Sequence, residues 1–493
     1  MAKTRQLIAF DLGASNGRAI LGRFDGEIIR MEELHRFENH YIEMNGVYYW
    51  DTPYLYEECK KGLTTFAKKD SGALDAFGID SWGVDYGLLD KNGQLLSLQR
   101  SYRLGTQEDI DAVTDIIPAD ELFDRCGIDT GLAFNTLYLL YRRKRENDPA
   151  LAAADKLLFT PDLLAYFLTG EAGTEYTMAT TSQLYNPTLR DWDRDLIRRL
   201  GLPEHILTKV EPSATVRGKL RSAVQEDTGL NAAVFASVGS HDTASSVAAI
   251  PGKGSFAFCS SGTWSLIGVE TDRPELGKEA AARGFSNEGT VQGGFQPLRN
   301  INGLWIIQEC RREWMRTGKD LSWGDVVAAA EQEKPFVSVI DTDAPEFYDG
   351  GRMEEKIREY CKRTGQPVPE TIGQTARCVY ESLALKYRIA VEGLEKIKGQ
   401  RIDTLNIVGG GIQNRLLDQM AADALNRNVI TGPIEGAAIG NLLTQAMALG
   451  DIGSIDELRD VVRASSHVEV WEPRHTDEWE QAYGRLCELI GQS

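Results

Sequence analysis

Apolar runs long enough to cross a bilayer are missing from this chain, which never approaches the roughly 20 such residues that a spanning helix needs. Its opening, Met1-Ala-Lys-Thr-Arg-Gln, leads straight into strand-like Leu7-Ile-Ala-Phe10 and lacks the apolar core and cleavage site of a secretory signal. A cytoplasmic location is therefore expected. Cysteine is scarce and odd in number, seven with no CxxC pair. That excludes a disulfide framework and leaves reduced thiols as the expectation; whether Cys361 and Cys378 meet is a question for the structure. Positive charge is in deficit, 54 Lys and Arg against 73 Asp and Glu, a formal net charge of −19. This disfavours nucleic acid or an anionic membrane as partner. It does not exclude a polyanionic nucleotide, because backbone amides and Mg²⁺ neutralise phosphates locally.

Several motifs are absent as well. There is no GxxxxGK[ST], no GxGxxG after a strand, no HExxH and no zinc-spaced Cys/His set. No Pro-rich linker interrupts the chain, and no period of 20–50 residues suggests a solenoid.

What is present is a set of four small-residue loops in fixed order: Asp11-Leu-Gly-Ala-Ser-Asn-Gly-Arg18, Gly239-Ser-His-Asp-Thr-Ala244, Ser260-Ser-Gly-Thr-Trp264 and Val408-Gly-Gly-Gly-Ile-Gln-Asn414. Glycine lets backbone N–H groups approach a phosphate, and hydroxyls add donors. At 493 residues the chain is too long for one ordinary core. Four such loops over two halves predict a nucleotide held in a cleft between two domains, 1–248 and 249–493, with the boundary in the turn-rich stretch near 245–253.

The local pattern fits an α/β layer fold. Strands are expected at Leu7–Leu12, Arg18–Phe24 and, after the Asp25-Gly26 turn, Glu27–Phe37. A helix follows, with Asp51 as N-cap, Pro53 in its first turn, and Leu55, Cys59, Leu63 and Phe66 at helical spacing. Ala76–Ser81 and Ala232–Val238 read as buried strands. The opening pattern then restarts, with strands Ser255–Cys259 and Trp264–Val269 around Ser260–Thr263. This implies a structural duplication. A long amphipathic helix over Gln374–Ile397, a strand over Leu405–Val408, and helices over Asn414–Leu425 and Ala437–Leu449 complete the second half.

The loops suggest chemistry. Asp11, ending the first strand, is suited to hold Mg²⁺ beside phosphates cradled by Gly13–Gly17, with Arg18 in reach of phosphate. Asp242 is the candidate general base: phosphoryl transfer to an alcohol needs a group to take the hydroxyl proton, and an Asp is already ionised at neutral pH. Ser260–Thr263 offers donors to the β- and γ-phosphates, and Gly409–Gly411 with Asn414 offers a bare surface to adenine or the α-phosphate. Each loop also has a plainer reading: a tight turn with a structural Asp, a helix N-cap at Asp242, a structural His241, an ordinary hairpin and a helix start.

Together these loops resemble those of the FGGY carbohydrate kinases, within the actin, heat-shock-chaperone and sugar-kinase superfamily, over nearly the whole chain. Ile79-Asp-Ser-Trp-Gly-Val-Asp85, Phe134-Asn-Thr-Leu-Tyr138, Glu175-Tyr-Thr-Met-Ala-Thr-Thr181 and Asn302-Gly-Leu-Trp305 look like the branch that acts on L-rhamnulose. The resemblance implies two ribonuclease H-like domains around an interdomain cleft. It also implies ATP-dependent phosphorylation of L-rhamnulose at its 1-hydroxyl, in L-rhamnose catabolism, with Mg²⁺ as cofactor. By motif position, Asp242 matches the family's proton acceptor. Ala14, Ser15, Asn16, Gly17, Arg18, Thr263, Gln308 and Gly410 match nucleotide contacts, and Asn414 matches one in glycerol kinase relatives. Gly83, His241, Asp242, Thr243 and Asn300 match sugar contacts. The implied partners are ATP and a small-molecule ketose, with neither nucleic acid nor membrane, for a monomer or small homo-oligomer.

One stretch departs from the family pattern. An Arg/Asp-bearing YRDxRT segment is usual after the first substrate loop; here it reads Tyr102-Arg-Leu-Gly-Thr-Gln107. L-fuculose and D-xylulose therefore stay open as acceptors. An actin-like or chaperone-like ATPase would share the Asp-Leu-Gly and glycine-rich loops but would not need Trp82-Gly83 or His241-Asp242. A silent sugar sensor is disfavoured by the intact Asp11 and Asp242.

Overall fold

Strand Arg5–Leu12 alternates its surroundings with period two. Ile8, Phe10 and Leu12 join one apolar cluster, Leu7 and Ala9 another, and none of the five keeps any exposed surface. A strand buried on both faces belongs at the centre of a sheet. Accordingly it pairs antiparallel with Asn16–Phe24 and parallel with Ala76–Ser81. The sheet extends to Ile29–Glu38 at one edge, and through parallel Val234–Ser237 to antiparallel Thr215–Lys219 at the other. The third strand starts later than the sequence suggests because the Asp25 carboxylate accepts the amides of Glu27 and Ile28 at 3.1 and 2.9 Å, holding them in the turn.

The computed structural model describes residues 4–69 and 73–491. The described chain divides into two compact units. One comprises the chain through Ala249 with Glu270–Pro297 and Gly436–Ser466; the other comprises Ile250–Val269, Leu298–Glu435 and the segment from His467 onward.

In the first unit, helix Thr52–Lys69 covers one face of the sheet. Tyr54 N–H donates to Asp51 Oδ1 at 3.0 Å, so Asp51 caps it as expected. Leu55, Cys59, Leu63 and Phe66 are fully buried beneath it, and each large apolar side chain so buried stabilises the unit by about 1.5–3 kcal/mol. The opposite face is covered by helices Gly436–Ala448 and Ile455–Ser465, through Ala438, Ile439, Leu442, Leu443, Leu458 and Val462. Helix Gly436–Ala448 also lies against helix Asp242–Ala248. At Gly440 the two come so close that a Cβ would sit 1.8 Å from the Ser245 carbonyl oxygen, which only glycine permits. A further cluster, built on Tyr86, Leu137, Tyr138, Phe159, Tyr185 and Trp192, forms the core of the segment between the second and last parallel strands.

The second unit repeats the same order of pairings. Phe256–Ser261 runs antiparallel to Trp264–Gly268, which pairs with Phe295–Asn302 through Leu298–Asn302. Parallel neighbours Thr404–Val408 and Asn428–Thr431 follow on the other side. Helix Ile372–Lys398 packs its buried face into a core that includes Val379, Leu383, Ile306, Trp314 and Phe347. The duplication expected from the strand–loop–strand restart is thus present in the topology. Among the described residues the cysteines are free, and no helix is long and apolar enough to cross a membrane.

Candidate active site

The first hairpin closes tightly, with Gly13 N–H donating to the Asn16 carbonyl at 2.8 Å. Asn39 braces it, its Nδ2 donating to the Gly13 carbonyl and its amide to that of Ser15. Ala14 is half-buried, and Ser15 and Asn16 are exposed at the tip. Gly17 is pressed on the Phe37 ring, where a Cβ would lie 2.2 Å away. Arg18 Nη2 donates to Asp11 Oδ2 at 2.5 Å. The residues expected to face phosphate and metal thus neutralise one another.

Asp11 lies opposite Asp80 in the parallel register. Asp80 is wholly buried; its Oδ2 accepts from Asn441 Nδ2 at 2.5 Å, and its Oδ1 has no partner. Burial, with Asp11 and Asp242 nearby, raises the Asp80 carboxyl far above the ordinary range. On the far side of Asp80's strand, Ser81 N–H donates to the Ser240 carbonyl at 2.8 Å and Ser81 bridges to His241. The sheet thereby carries the loop that holds the candidate base.

His241 occupies the extended cap position, and Asp242 is the first residue of helix Asp242–Ala248. The N-cap reading of Asp242 is therefore corrected by one residue: the chain is still extended at His241 and enters the helix at Asp242. Asp242 keeps 35% of its side-chain surface, and its Oδ1 accepts from the Thr243 hydroxyl at 3.3 Å. Surrounding protein holds its carboxyl above the usual range; the His241 cation opposes this and Asp11 adds to it. His241 Nε2 lies 3.6 Å from Asp242 Oδ1, and its Nδ1 lies 3.0 Å from Glu288 Oε2. Burial lowers the imidazole's proton affinity, but Glu288, Asp242 and Glu175 together outweigh it, and the group titrates at about 9. At neutral pH His241 is a cation.

Glu175 ties this loop down. Fully buried, its Oε2 accepts the amides of Thr177, Met178 and Ser240, and Thr177 Oγ1 accepts the His241 amide. Gly83 faces the same place: a Cβ there would touch Thr181 at 3.3 Å and His241 Cδ2 at 3.4 Å. The next residue, Val84, has φ +68°. For a β-branched residue this is strained backbone of the kind found at functional sites. It is held by the Val84 carbonyl accepting from Thr136 Oγ1 at 2.7 Å. Asp85 Oδ2 accepts both indole N–H groups of Trp50 and Trp82, at 2.5 and 2.8 Å. Burial pushes its carboxyl up to about 7. The two indoles, 4.3 Å apart, continue through Tyr102 to Phe134 as an aromatic wall. Leu104 and Thr106 stand where the family pattern has its Asp and second Arg, and Arg103, which the pattern shares, stacks over Tyr41 and Tyr102.

The second unit gathers the other loops. Gly262 N–H donates to the Trp264 carbonyl at 2.8 Å, and the Gly262 and Thr263 carbonyls accept the amides of Leu304 and Trp305. This seats the hairpin on the start of helix Trp305–Arg316 and brings Thr263 Oγ1 within 3.2 Å of Gln308 Oε1. The glycine turn lies on Ser261, and Gly410 is exposed with open space where a Cβ would point. Asn414 caps helix Arg415–Leu425, its Oδ1 accepting the Leu417 amide at 3.1 Å. Asn300 lies in strand Phe295–Asn302 opposite Leu266. Within the first unit, Asp11, Arg18 and Asp242 thus lie near Asp80, and Gly83 meets His241. Within the second, Thr263 meets Gln308, while Gly410 and Asn414 share one turn. Asp80, Asp85 and Glu175 lie in motifs that carry the family resemblance, but only the spatial pairing reveals what they do, and Glu288 carries no local signal at all.

The chain is similar to known proteins over nearly its whole length. The N-terminal domain of the FGGY family of carbohydrate kinases matches residues 6–249, and its C-terminal domain matches residues 257–449. A rhamnulokinase of Bacteroides thetaiotaomicron is 41% identical over 97% of this chain and 98% of its own. One of Enterococcus faecalis is 39% identical over 96% and 95%. In fold, the chain is similar to the crystal structure of a xylulose kinase from Rhodospirillum rubrum, with a TM-score of 0.82, 16% identity and coverage of 99% and 98%.

Proposed function

The chain belongs to the FGGY family of carbohydrate kinases, and from that premise we propose that it phosphorylates L-rhamnulose at the 1-hydroxyl, giving L-rhamnulose 1-phosphate and ADP, in the cytoplasm. Membership of a kinase family carries the use of ATP. The observation that carries the catalytic assignment is the placing of Asp242 at the head of a helix, fixed through Ser240 and Ser81 to the strand beside Asp11.

The chemistry asks little covalent work of the protein. The bond between the γ-phosphorus and its bridging oxygen breaks as the bond from O1 of the sugar forms, and the O1 proton passes to Asp242. Glu175 and Thr177 hold the loop so that Asp242 meets that hydroxyl in one orientation. His241, a cation at 3.6 Å, favours the ionised base. Gly83 leaves room for the sugar beside His241, and Thr243 and Asn300 are assigned to its hydroxyls. Part-exposed Tyr102, with buried Trp50 and Trp82 packed behind it, suits the methyl end of a 6-deoxy sugar better than a chain of hydroxyls. This favours L-rhamnulose over D-xylulose. Ala14 to Arg18, Thr263, Gln308, Gly410 and Asn414 are assigned to the nucleotide.

The residues fit Mg²⁺ delivered with ATP. Among the described residues no three acidic or His/Cys side chains form a metal cage. However, Asp11 with the partnerless buried Oδ1 of Asp80 offers oxygen donors of the kind that Mg²⁺ prefers. Asp11 would hold the ion, whose charge would offset that of the transferring phosphoryl group.

The test is ADP release with Mg·ATP across L-rhamnulose, L-fuculose, D-xylulose, L-ribulose, glycerol and no sugar. A marked preference for L-rhamnulose, lost in Asp242→Asn with both substrates still bound, is expected. Turnover led by another ketose overturns the substrate, and release independent of every sugar overturns the kinase reading.

A further inference from the structure

Glu288 has no part in the chemistry above, yet it sits against it. It belongs to strand Phe285–Gly289, buried at every position. A buried carboxylate needs a partner to offset the loss of its hydration. Its partner is the His241 ring, 3.0 Å from Nδ1 to Oε2, with the two side chains only 10% and 11% exposed. The contact lies off the line of an ideal hydrogen bond, so charge contributes more to it than direction does.

The remaining freedom of His241 is removed elsewhere. Its amide is held by Thr177, its loop is bridged to Ser81, and its ring edge lies against Gly83. With Nδ1 turned to Glu288, Nε2 is the nitrogen left on the Asp242 side. In a neutral ring an Nδ1–H directed at Glu288 would leave Nε2 the acceptor, so only the doubly protonated ring presents an N–H to the carboxyl group on each side. Were Nε2 the acceptor, its lone pair would oppose the Asp242 carboxylate and compete for the sugar's proton. As a donor it steadies the carboxylate and offers an N–H to a ketose oxygen near the acceptor carbon.

On the reading that Asp242 deprotonates the acceptor hydroxyl, we propose that Glu288 is a positioning residue that keeps Nε2 of His241 protonated and aimed at the base and the sugar. The titratable groups facing His241 are Glu288 from its own strand, Asp242 from the adjoining helix and Glu175 from the start of helix Tyr176–Thr181; all three are carboxyl groups, and each raises the imidazole's proton affinity. Every neighbour therefore favours a doubly protonated ring. Glu288 is the one in closest contact that is otherwise unused.

The experiment combines kinetics with ¹⁵N NMR of the histidine rings, of which the chain has six, His241 being assigned by its loss in His241→Asn. In the wild-type protein near neutral pH, both His241 nitrogens are expected at imidazolium positions. In Glu288→Gln, nearly isosteric and so able to fold, the ring is expected to become neutral. Its kcat with the ketose is expected to fall roughly tenfold to a hundredfold, the range seen when the orienting partner of a functional histidine is removed, while KM for ATP stays unchanged. Glu288→Asp, which keeps the charge, is expected to recover the imidazolium signals and most of kcat. A Glu288→Gln protein with unchanged His241 signals, or with altered signals but wild-type kcat, overturns the proposal. Should the wild-type protein prefer another acceptor, the substrate reading fails alone, and the same comparison on that acceptor still decides the role of Glu288.

Discussion

Asn441 donates from Nδ2 to Oδ2 of Asp80 at 2.5 Å, and neither residue keeps any exposed surface. The amide is itself fixed: its oxygen accepts from Gln445 Nε2 at 2.7 Å, and Gln445 also reaches the Ile8 carbonyl at 2.9 Å. A short polar ladder thus runs from helix Gly436–Ala448 to the strand between Asp11 and the Asp242 loop. Buried networks of this kind are costly when half-satisfied.

Removing one rung is therefore expected to destabilise the protein. Asn441→Leu leaves the Asp80 carboxyl without its donor, at a cost of about 1–3 kcal/mol. Adding Asp80→Leu to that variant is expected to cost less than the same change in the wild-type protein, because it removes the carboxyl that the first change left without a donor. Urea denaturation of the four proteins of the cycle measures this, and additive losses would show the ladder to be energetically unimportant.

Stability is also expected to depend on pH. His241 titrates at about 9 in the fold, against an ordinary 6.5, because Glu288, Asp242 and Glu175 together outweigh the effect of burial. A raised folded value gives stability that is complete below about 6.5 and lost as pH rises through about 9. Urea midpoints between about pH 6 and pH 10 should fall across that window in the wild-type protein and more shallowly in Glu288→Gln.

The aromatic wall is expected to govern the sugar and not the nucleotide. Asp85→Ala removes the acceptor that fixes both Trp50 and Trp82. A rise of about tenfold or more in KM for L-rhamnulose is expected, corresponding to the loss of about one well-formed hydrogen bond's worth of order, with KM for ATP little changed. Equal rises for both substrates would point to general loosening.

Gly410 offers the converse. Because open space surrounds its missing Cβ, Gly410→Val is expected to leave the unfolding free energy within about 0.5 kcal/mol of wild type. KM for ATP should nevertheless rise about tenfold or more, as the side chain occupies the surface assigned to the nucleotide. Unchanged ATP kinetics would remove Gly410 from that role.

Much of this was legible in the sequence. The alternation of Leu7–Leu12 and the four-residue spacing of Leu55, Cys59 and Leu63 report their burial directly, since period follows secondary structure. The loops announced themselves through glycine and hydroxyl residues at strand ends. Asp242 was read correctly as lying at a helix start but one position off, because the cap is decided by the backbone at His241, which sequence does not fix. Asp80 and Asn441 lie 361 residues apart, and Glu288 lies in an unremarkable strand remote from His241. No local signal encodes such pairings, because burial of a charge is decided only once the sheet has formed.

The first unit borrows Glu270–Pro297 and Gly436–Ser466 from the far part of the chain. During synthesis, the sheet of residues 5–237 therefore leaves the ribosome with Leu7, Ala9, Ile20 and Phe24 bare on one face, since the helices that cover them are made nearly last. A protein made vectorially from its N-terminus cannot complete this unit until it is almost entirely translated. Nor can a fragment ending at Ala249 be a stable substitute for it: such a fragment would carry the base and the first loop on a half-clothed sheet, prone to associate with other copies of itself.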